Sequence, residues 1–357
     1  MPGSTDEARM ARENVRATIL GFLATVGVFA LLFSYAGVDE LLDTLRMADL
    51  RYVALVILAI FAWLGAWSLS LNTVLDGLGV DLSYFSSFLV FAGATFSNNV
   101  TPFGQAGGEP VTAYLISRAA NAEYERSLAA IASVDTLNFV PSITIALVGA
   151  GYFATEVALG TNQNLLVAFG AVAALAVSVP AVIYVGWKRR YRLEARVVDA
   201  LTPLIRSIAD WVPRVPVPTS DGIERRINGF FRAIERVASN PRGLALALGA
   251  SALGWLCQML ALWLAFGAIG VDVRLSIALI VVPIAAIAGV TPLPGGAGGI
   301  ETVLVVLLLA APLPQVTEPI AVAAVVIFRG AVYWIPTLLG GVVVAWIGTG
   351  AGLEADT

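Results

Sequence analysis

Two related stretches decide the fold: TPFGQAGGE at residues 101–109 and TPLPGGAGGIE at residues 291–301. Each begins with Thr-Pro, continues into Ala-Gly-Gly and ends on a glutamate, and each lies between apolar segments too short to cross a bilayer. Because proline removes a backbone donor and glycine adopts conformations closed to other residues, neither stretch is expected to be continuous helix. Irregular backbone at membrane depth is stable only where protein or a water-filled cavity satisfies it. These stretches, called motif 1 and motif 2 below, are therefore the first candidates for a functional site.

The composition predicts an all-α polytopic membrane protein. Of the 357 residues, 58% are hydrophobic and only 13% are charged, which is typical of membrane proteins. Histidine is absent and Cys257 is the single cysteine, which argues against a disulfide framework or a Cys/His metal site. We expect no metal, no cofactor and no nucleic-acid partner. An acidic chain with twenty arginines and one lysine, Lys188, predicts a salt-adapted or high-GC source such as a haloarchaeon.

Hydropathy and the distribution of arginine predict six full spans with both termini in the cytoplasm. The predicted spans cover residues 17–35, 51–71, 127–153, 164–187, 244–269 and 319–346. Residues 84–117 and 275–312 each hold two half-length helices around a motif, since about 14 residues of helix rise only about 20 Å against about 30 Å of hydrocarbon. We interpret both as re-entrant helical hairpins of opposite orientation, with their motif loops close together at mid-depth.

The order span, span, hairpin, span occurs twice with opposite orientation, as in transporters built from inverted repeats. We divide the chain into a first membrane repeat at 1–187, a basic cytoplasmic amphipathic helical hairpin at 188–242 and a second membrane repeat at 243–357. By its place in this order, the span at 164–187 belongs to the second repeat. The middle segment holds twelve of the 21 basic residues. Identity between the halves is confined to the motifs, so the repeat rests mainly on the order of hydropathy.

The two motifs, the hydrophobic pattern and the basic central segment resemble the lysylphosphatidylglycerol synthase/flippase transmembrane family. This family includes the membrane half of bacterial phospholipid aminoacylating proteins and the membrane domain of some archaeal dolichol-linked glycosyltransferases. The resemblance covers nearly the whole chain and is most specific at residues 102–109 and 292–301. It implies a role in moving or handling a lipid with a polar headgroup. Neither an aminoacyl-transfer domain nor a glycosyltransferase domain is present in this sequence, so we expect a stand-alone flippase-like module.

Charged side chains within the apolar segments are the first candidate site residues. Glu109 and Glu301 close the motifs, where a carboxylate can cap backbone donors at a helix start. The alternative is that they titrate or bind a cationic substrate group. Asp135 and Arg329 follow the two glutamates by 26 and 28 residues. A charge near the bilayer centre costs about 3 kcal/mol on insertion scales and is by default a functional candidate. A pair between Asp135 and Arg329 would lower that cost, and Arg329 is placed to hold a lipid phosphate.

Polar side chains and glycine amides near the motifs complete the candidate translocation path. No residue is assigned a catalytic role. The predicted path residues are Glu109, Glu301, Asp135, Arg329, Asn98, Asn99, Thr101, Gln105, Gly107, Gly108, Asn138, Thr291, Gly298 and Gly299.

These features favour a lipid transporter that moves a polyprenyl-phosphate-linked sugar or a modified phospholipid between leaflets. One alternative is an integral-membrane enzyme, or an accessory subunit, that acts on such a lipid with Glu109 or Glu301 as acid or base. A weaker alternative is an ion-coupled carrier of small solutes. The sequence contains no phosphate-binding loop of the nucleotide-hydrolase type, which favours the transporter. Expected partners are anionic or polyprenyl-linked membrane lipids, with glycosyltransferases as candidate protein partners, and the expected location is the cell (plasma) membrane.

Overall fold

The computed structural model describes residues 37–101, 105–160, 239–290 and 293–348, with isolated positions between 27 and 34. Within these residues the chain is helical and has no strand. The helices are α1 (Val38–Arg46), α2 (Leu50–Gly77), α3 (Tyr84–Val100), α4 (Gln105–Ala120), α5 (Tyr124–Gly160), α6 (Pro241–Ala268), α7 (Leu275–Ile287), α8 (Gly299–Ala310), α9 (Glu318–Arg329) and α10 (Ile335–Gly348). Short 3₁₀ turns, Ala288–Val290 and Pro294–Gly296, separate α7 from α8, and a π-helical turn, Gly330–Trp334, joins α9 to α10.

Four helical segments of the described residues are long and apolar enough to cross a membrane. Each overlaps one predicted span, which confirms those four predicted spans and the prediction of an integral membrane protein. The predicted spans at 17–35 and 164–187, and the basic hairpin at 188–242, lie almost entirely outside the described residues. The four segments are Leu50–Gly77, Arg126–Phe153, Pro241–Ala268 and Glu318–Trp346.

Helices α2 and α6 form the centre of the bundle and run antiparallel. At one end the Asp49 amide donates to the Ala268 carbonyl at 2.8 Å. Two turns from the other end of α2, the Ser70 hydroxyl donates to the Ala247 carbonyl at 3.1 Å. Between these contacts the Trp67 ring lies where a Cβ on Gly254 would be, so glycine at this position allows the two helices to approach closely. Close approach through a small residue is a common packing device in membranes, where apolar side chains gain nothing by leaving lipid.

The same two helices also correspond residue by residue outside the motifs, which the sequence analysis did not identify. Each has 28 residues. Each is followed by a Gly-Val-Asp turn, at residues 79–81 and 270–272, whose glycine has φ of 72°. The starts of α2 and α6 and the starts of α3 and α7 are both separated by 191 positions (241 minus 50, and 275 minus 84). The prediction that identity between the halves is confined to the motifs is therefore wrong, because the identity extends to the turn after each of these helices.

The half-length helices pack in pairs, α3 on α4 and α7 on α8, which gives two helical hairpins. The pairs also exchange partners, because α3 packs along α10 while α7 packs along α5. Helix α3 has 17 residues, or about 25 Å at 1.5 Å per residue. The C-terminal part of α3 also contacts the 3₁₀ turn Pro294–Gly296 of motif 2. The described residues at the tips of the two hairpins, the C-terminal end of α3 and the motif 2 loop, therefore lie in contact.

Candidate functional site

The motif 2 loop adopts a conformation that requires glycine. Gly295, Gly296 and Gly298 have φ of 59°, 64° and 86°, a region that other residues enter only with strain. Space is also limited, since a Cβ on Gly296 would lie 2.7 Å from the Cα of Gly289 on the opposite limb of the hairpin. The loop is therefore compact, and helix α8 begins directly after it at Gly299.

Glu301 joins this loop to the following span through both of its carboxylate oxygens. One oxygen, Oε2, accepts a hydrogen bond from the Gly298 amide at 2.6 Å. The other, Oε1, accepts one from Nε of Arg329 at 2.7 Å. The two residues are buried, with exposed fractions of 2% for Glu301 and 7% for Arg329. A buried charge needs a partner of this kind, because an uncompensated one is strongly destabilising.

Arg329 and Tyr333 connect motif 2 to the tip of the first hairpin. A second guanidinium nitrogen of Arg329, Nη2, donates to the Gly295 carbonyl at 3.4 Å, and the guanidinium lies 5.8 Å from the centre of the Tyr333 ring. The Tyr333 hydroxyl donates to the carbonyl of Asn99 at 2.9 Å. The side-chain amide of Asn99 in turn donates to the Tyr333 backbone carbonyl at 3.2 Å and to the Thr337 hydroxyl at 2.8 Å. Helix α3, the motif 2 loop and the last span are thus held together by one polar network.

Motif 1 brings α3 and α4 into backbone contact. A Cβ on Gly108 would overlap the side chain of Asn98 and lie 2.7 Å from its amide nitrogen, so only glycine allows this approach. The side-chain oxygen of Asn98 is buried and accepts no hydrogen bond among the described residues. Glu109 follows on α4, and Asp135 lies on α5, which packs against α4. The first half therefore has an acid on each of two packed helices, where the second half pairs an acid with a base.

The hypothesis of an Asp135–Arg329 pair is not supported. Among the described residues, the ionic partner of Arg329 is Glu301. The reason is geometric: α8 and α9 pack directly against each other, which brings Glu301 and Arg329 together within one half. Asp135 lies instead on α5, which packs against α4, the helix that holds Glu109. In both halves the span with the charged residue therefore packs against the helix with the motif glutamate.

Other predicted path residues have structural partners. Asn138 is buried between α5 and α6, where its side-chain oxygen accepts from the Ser251 hydroxyl at 2.5 Å and its carbonyl from the Trp255 indole at 3.0 Å. The Thr101 hydroxyl donates to the Ser97 carbonyl at 2.7 Å. Thr291 and the side chain of Gln105 lie outside the described residues, and Gly107 lies in the first turn of α4 rather than in an open turn.

Tyr333, Thr337 and Gly295 belong to the network but are absent from the predicted path. For Tyr333 and Thr337 the sequence contains a signal. They follow Arg329 at steps of four residues, and this spacing places the side chains of Arg329, Tyr333 and Thr337 on one helix face. Among the described residues, no group of three or more acidic, cysteine or histidine side chains comes together as a metal site would require.

The chain belongs to the family described as the lysylphosphatidylglycerol synthase transmembrane region, whose family model matches residues 18–340. This confirms the resemblance stated from the motifs. A UPF0104 membrane protein of Pyrococcus horikoshii is 28% identical over 327 residues, which cover 89% of this chain and 94% of the relative. Two UPF0104 membrane proteins of Methanothermobacter thermautotrophicus are 25% and 27% identical, over 92% and 94% of this chain and 95% of each relative.

Proposed function

We propose that the protein is a flippase-like transporter that moves a lipid with a polar headgroup between leaflets. The substrate class is a polyprenyl-phosphate-linked sugar or a modified phospholipid. The observation that carries this proposal is the contact between the C-terminal end of α3, which leads into motif 1, and the glycine-rich loop of motif 2. A buried ion pair lies beside the motif 2 loop, and two acids lie on the helices that follow motif 1. The description of the family, which names the phospholipid lysylphosphatidylglycerol, supports a lipid as the substrate.

The proposed architecture has six full spans and two re-entrant hairpins, at 84–117 and 275–312, in an inverted repeat. Three observations support it: the constant separation of 191 positions, the shared Gly-Val-Asp turn and the antiparallel packing of α2 on α6. The exchange of partners, with α3 on α10 and α7 on α5, is what a two-fold axis between the halves would produce. In transporters of this kind the substrate site lies at the repeat interface near the midplane.

The charges of the two halves have different proposed roles. Glu301 and Arg329 neutralise each other and fix the motif 2 loop, so we assign them to holding the hairpin tip in place. Glu109 and Asp135 are both acids, and Glu109 is only partly buried. We assign these two to the substrate, where they bind a cationic part of the headgroup or a coupling proton. A lipid phosphate would instead contact the first-turn amides of α4, since helix starts favour anions.

The proposed location is the cell membrane, with both termini in the cytoplasm and the basic segment 188–242 at the inner leaflet. This orientation follows from the twelve basic residues of that segment. Anionic or polyprenyl-linked lipids are the proposed membrane partners. Glycosyltransferases that make or use polyprenyl-linked sugars are the proposed protein partners.

Lipid translocation in reconstituted vesicles tests the proposal. The purified full chain is placed in vesicles with a trace of phosphatidylethanolamine that carries a fluorophore on its acyl chain and a free amine in its headgroup. A membrane-impermeant reductant then bleaches the fluorophore wherever it reaches the outer leaflet. Protein-free vesicles should lose half of their fluorescence, which is the share in the outer leaflet. Vesicles that contain the protein should lose more than half.

The variants Glu109→Gln and Asp135→Asn should fold but translocate about ten- to a hundredfold more slowly, because each loses a charge-assisted contact of about 1.5–3 kcal/mol with the headgroup. Glu123→Gln is the matched control, since this carboxylate is 75% exposed and only 3.7 Å from Arg126 in a surface pair. If both site variants translocate lipid at the rate of the parent protein, the assignment of Glu109 and Asp135 to the substrate is contradicted. A lipid that is chemically altered without changing leaflet would favour the enzyme alternative.

A further inference from the structure

A cavity of about 570 Å³ opens between the C-terminal end of α2 and the N-terminal end of α6. Three charged side chains line it: Asp76 at the end of α2, Asp81 in the following turn and Arg242 in the first turn of α6. All three are exposed, and among the described residues none of them forms an ion pair or a side-chain hydrogen bond. The cavity lies at one end of the central helix pair, away from the hairpin tips that form the candidate transport site.

At the opposite end of the pair, two of the equivalent positions hold aromatic rings, Trp263 and Tyr52. The separation of 191 positions relates Asn72 to Trp263, and each donates to the carbonyl of the residue in the same position of the following turn. Asn72 bonds to the Leu82 carbonyl at 2.6 Å, and the Trp263 indole bonds to the Val273 carbonyl at 2.9 Å. The contact is the same in both halves, but a small amide stands in one half where an indole ring stands in the other.

The second difference is at the start of the neighbouring helix. The same separation relates Gly243, which lines the cavity, to Tyr52. The Tyr52 ring packs over Gly267 at the far end, within 2.6 Å of where a Cβ would be. At the cavity the large and small residues change places. Gly243 stands where Tyr52 is in the other half, and Asp76 stands where Gly267 is. The cavity therefore exists because two aromatic rings are absent from one end of a repeated structure.

The chemistry of the lining defines the ligand. Two carboxylates and one guanidinium give the lining a net charge of −1, so that partners for a cation and for an anion line the same cavity. Arg242 lies in the first turn of α6, where a guanidinium and a helix start both favour a phosphate. Asp76 and Asp81 provide acceptors for a positively charged amine. Leu69 and Leu246 continue the wall along the apolar part of the helices, where an acyl chain can follow.

We propose that this cavity binds the headgroup of an amine-bearing phospholipid at one face of the membrane only. The phosphate contacts Arg242, the amine contacts Asp76 and Asp81, and the acyl chains pass over Leu69 and Leu246. The far end of the same helix pair does not bind lipid in this way, because Trp263 and Tyr52 occupy the space. This site is separate from the hairpin tips, and its occupancy does not depend on whether the protein transports lipid.

Native mass spectrometry of the purified full chain in detergent tests the site directly. The protein is titrated with phosphatidylethanolamine, with phosphatidylglycerol and with soluble phosphoethanolamine, and the fraction carrying a bound ligand is measured. Phosphatidylethanolamine should bind at least about tenfold more tightly than either of the others, since only it combines an amine, a phosphate and acyl chains.

Two variants localise the bound lipid. Asn72→Trp should fill the cavity as Trp263 fills its equivalent, while keeping a donor for the Leu82 carbonyl. Asp76→Asn combined with Asp81→Asn should remove the preference for the amine and leave phosphatidylglycerol bound equally well. Asp272→Asn is the matched control, because this residue is the counterpart of Asp81 in the filled end.

Both variants should lower the affinity for phosphatidylethanolamine at least about tenfold, and the control should leave it unchanged. If Asn72→Trp binds the lipid as well as the parent does, the cavity is not the site. If phosphoethanolamine binds as tightly as the lipid, the site takes a soluble ligand instead. Equal affinity of the parent for phosphatidylglycerol would contradict the assignment of the two carboxylates.

Discussion

The buried pair of Glu301 and Arg329 gives the sharpest prediction about stability. Glu301 uses one oxygen for the Gly298 amide and the other for Arg329, at 2.6 Å and 2.7 Å. Glutamine at this position has a single oxygen, so Glu301→Gln must leave one of the two donors facing an amide group. Arg329 then stays buried without a counter-charge. Removing one partner of a buried pair costs about 3–5 kcal/mol, so the free energy of unfolding should fall by that amount.

The complementary change, Arg329→Met, should cost a similar amount because it leaves the Glu301 carboxylate buried with only the Gly298 amide. The double variant removes both charges and keeps one oxygen for Gly298. It should therefore be more stable than the sum of the single effects indicates, with a coupling energy of about 2–3 kcal/mol. The same cycle at the exposed pair of Asp43 and Arg46, whose side chains are 71% and 75% exposed at 3.2 Å, is the matched control. There the coupling should be about 0.5 kcal/mol or less.

The unfolding free energies are measured by titrating the purified protein in mixed micelles with a denaturing detergent, followed by tryptophan fluorescence. Single effects that add within about 0.5 kcal/mol in the double variant would refute a direct pair. Single effects no larger than those of the surface control would refute burial of the pair.

Two further predictions concern the contacts that hold the hairpin tips. Gly108→Ala should destabilise the protein strongly, since its Cβ would overlap Asn98, whereas Gly249→Ala, which meets no atom within 4 Å, should not; equal thermal unfolding temperatures of the two variants would be inconsistent with the described hairpin. Tyr333→Phe should lower the free energy of unfolding by about 1 kcal/mol through loss of the bond from its hydroxyl to the Asn99 carbonyl, measured in the same detergent titration, and an unchanged value would mean that this bond does not form in the protein.

The positions of the helices were largely accessible from the sequence, because hydropathy and helix length respond to the same bilayer thickness. Motif 2 also predicts its own loop, since three of its glycines adopt positive φ. The boundaries of the half-length helices were less accurate: α4 begins at Gln105, inside motif 1, which was not expected to be continuous helix. Propensities near a motif rich in glycine and proline do not define a helix start to better than about two residues.

The partner of Arg329 was not accessible in the same way. Sequence order shows that Asp135 and Arg329 occupy comparable places in the two halves, but it does not show which helices are neighbours. Packing of α8 on α9 decides the question in favour of Glu301. The cavity at one end of α2 and α6 could not be predicted from the sequence either. The roles of Asn72 and Gly243 become clear only when the residues at the equivalent positions of the other half, Trp263 and Tyr52, are known.

The opposed orientation of the two halves is tested most directly by labelling equivalent positions from each side of the membrane. Asp81 and Asp272 are exposed and occupy the same place in the repeated Gly-Val-Asp turn, at opposite ends of an antiparallel pair about 40 Å long. Each is changed to cysteine in a chain carrying Cys257→Ser, and intact cells are treated with a membrane-impermeant maleimide. Asp272→Cys should be labelled in intact cells and Asp81→Cys only after permeabilisation. Labelling of both from the same side would contradict the inverted repeat.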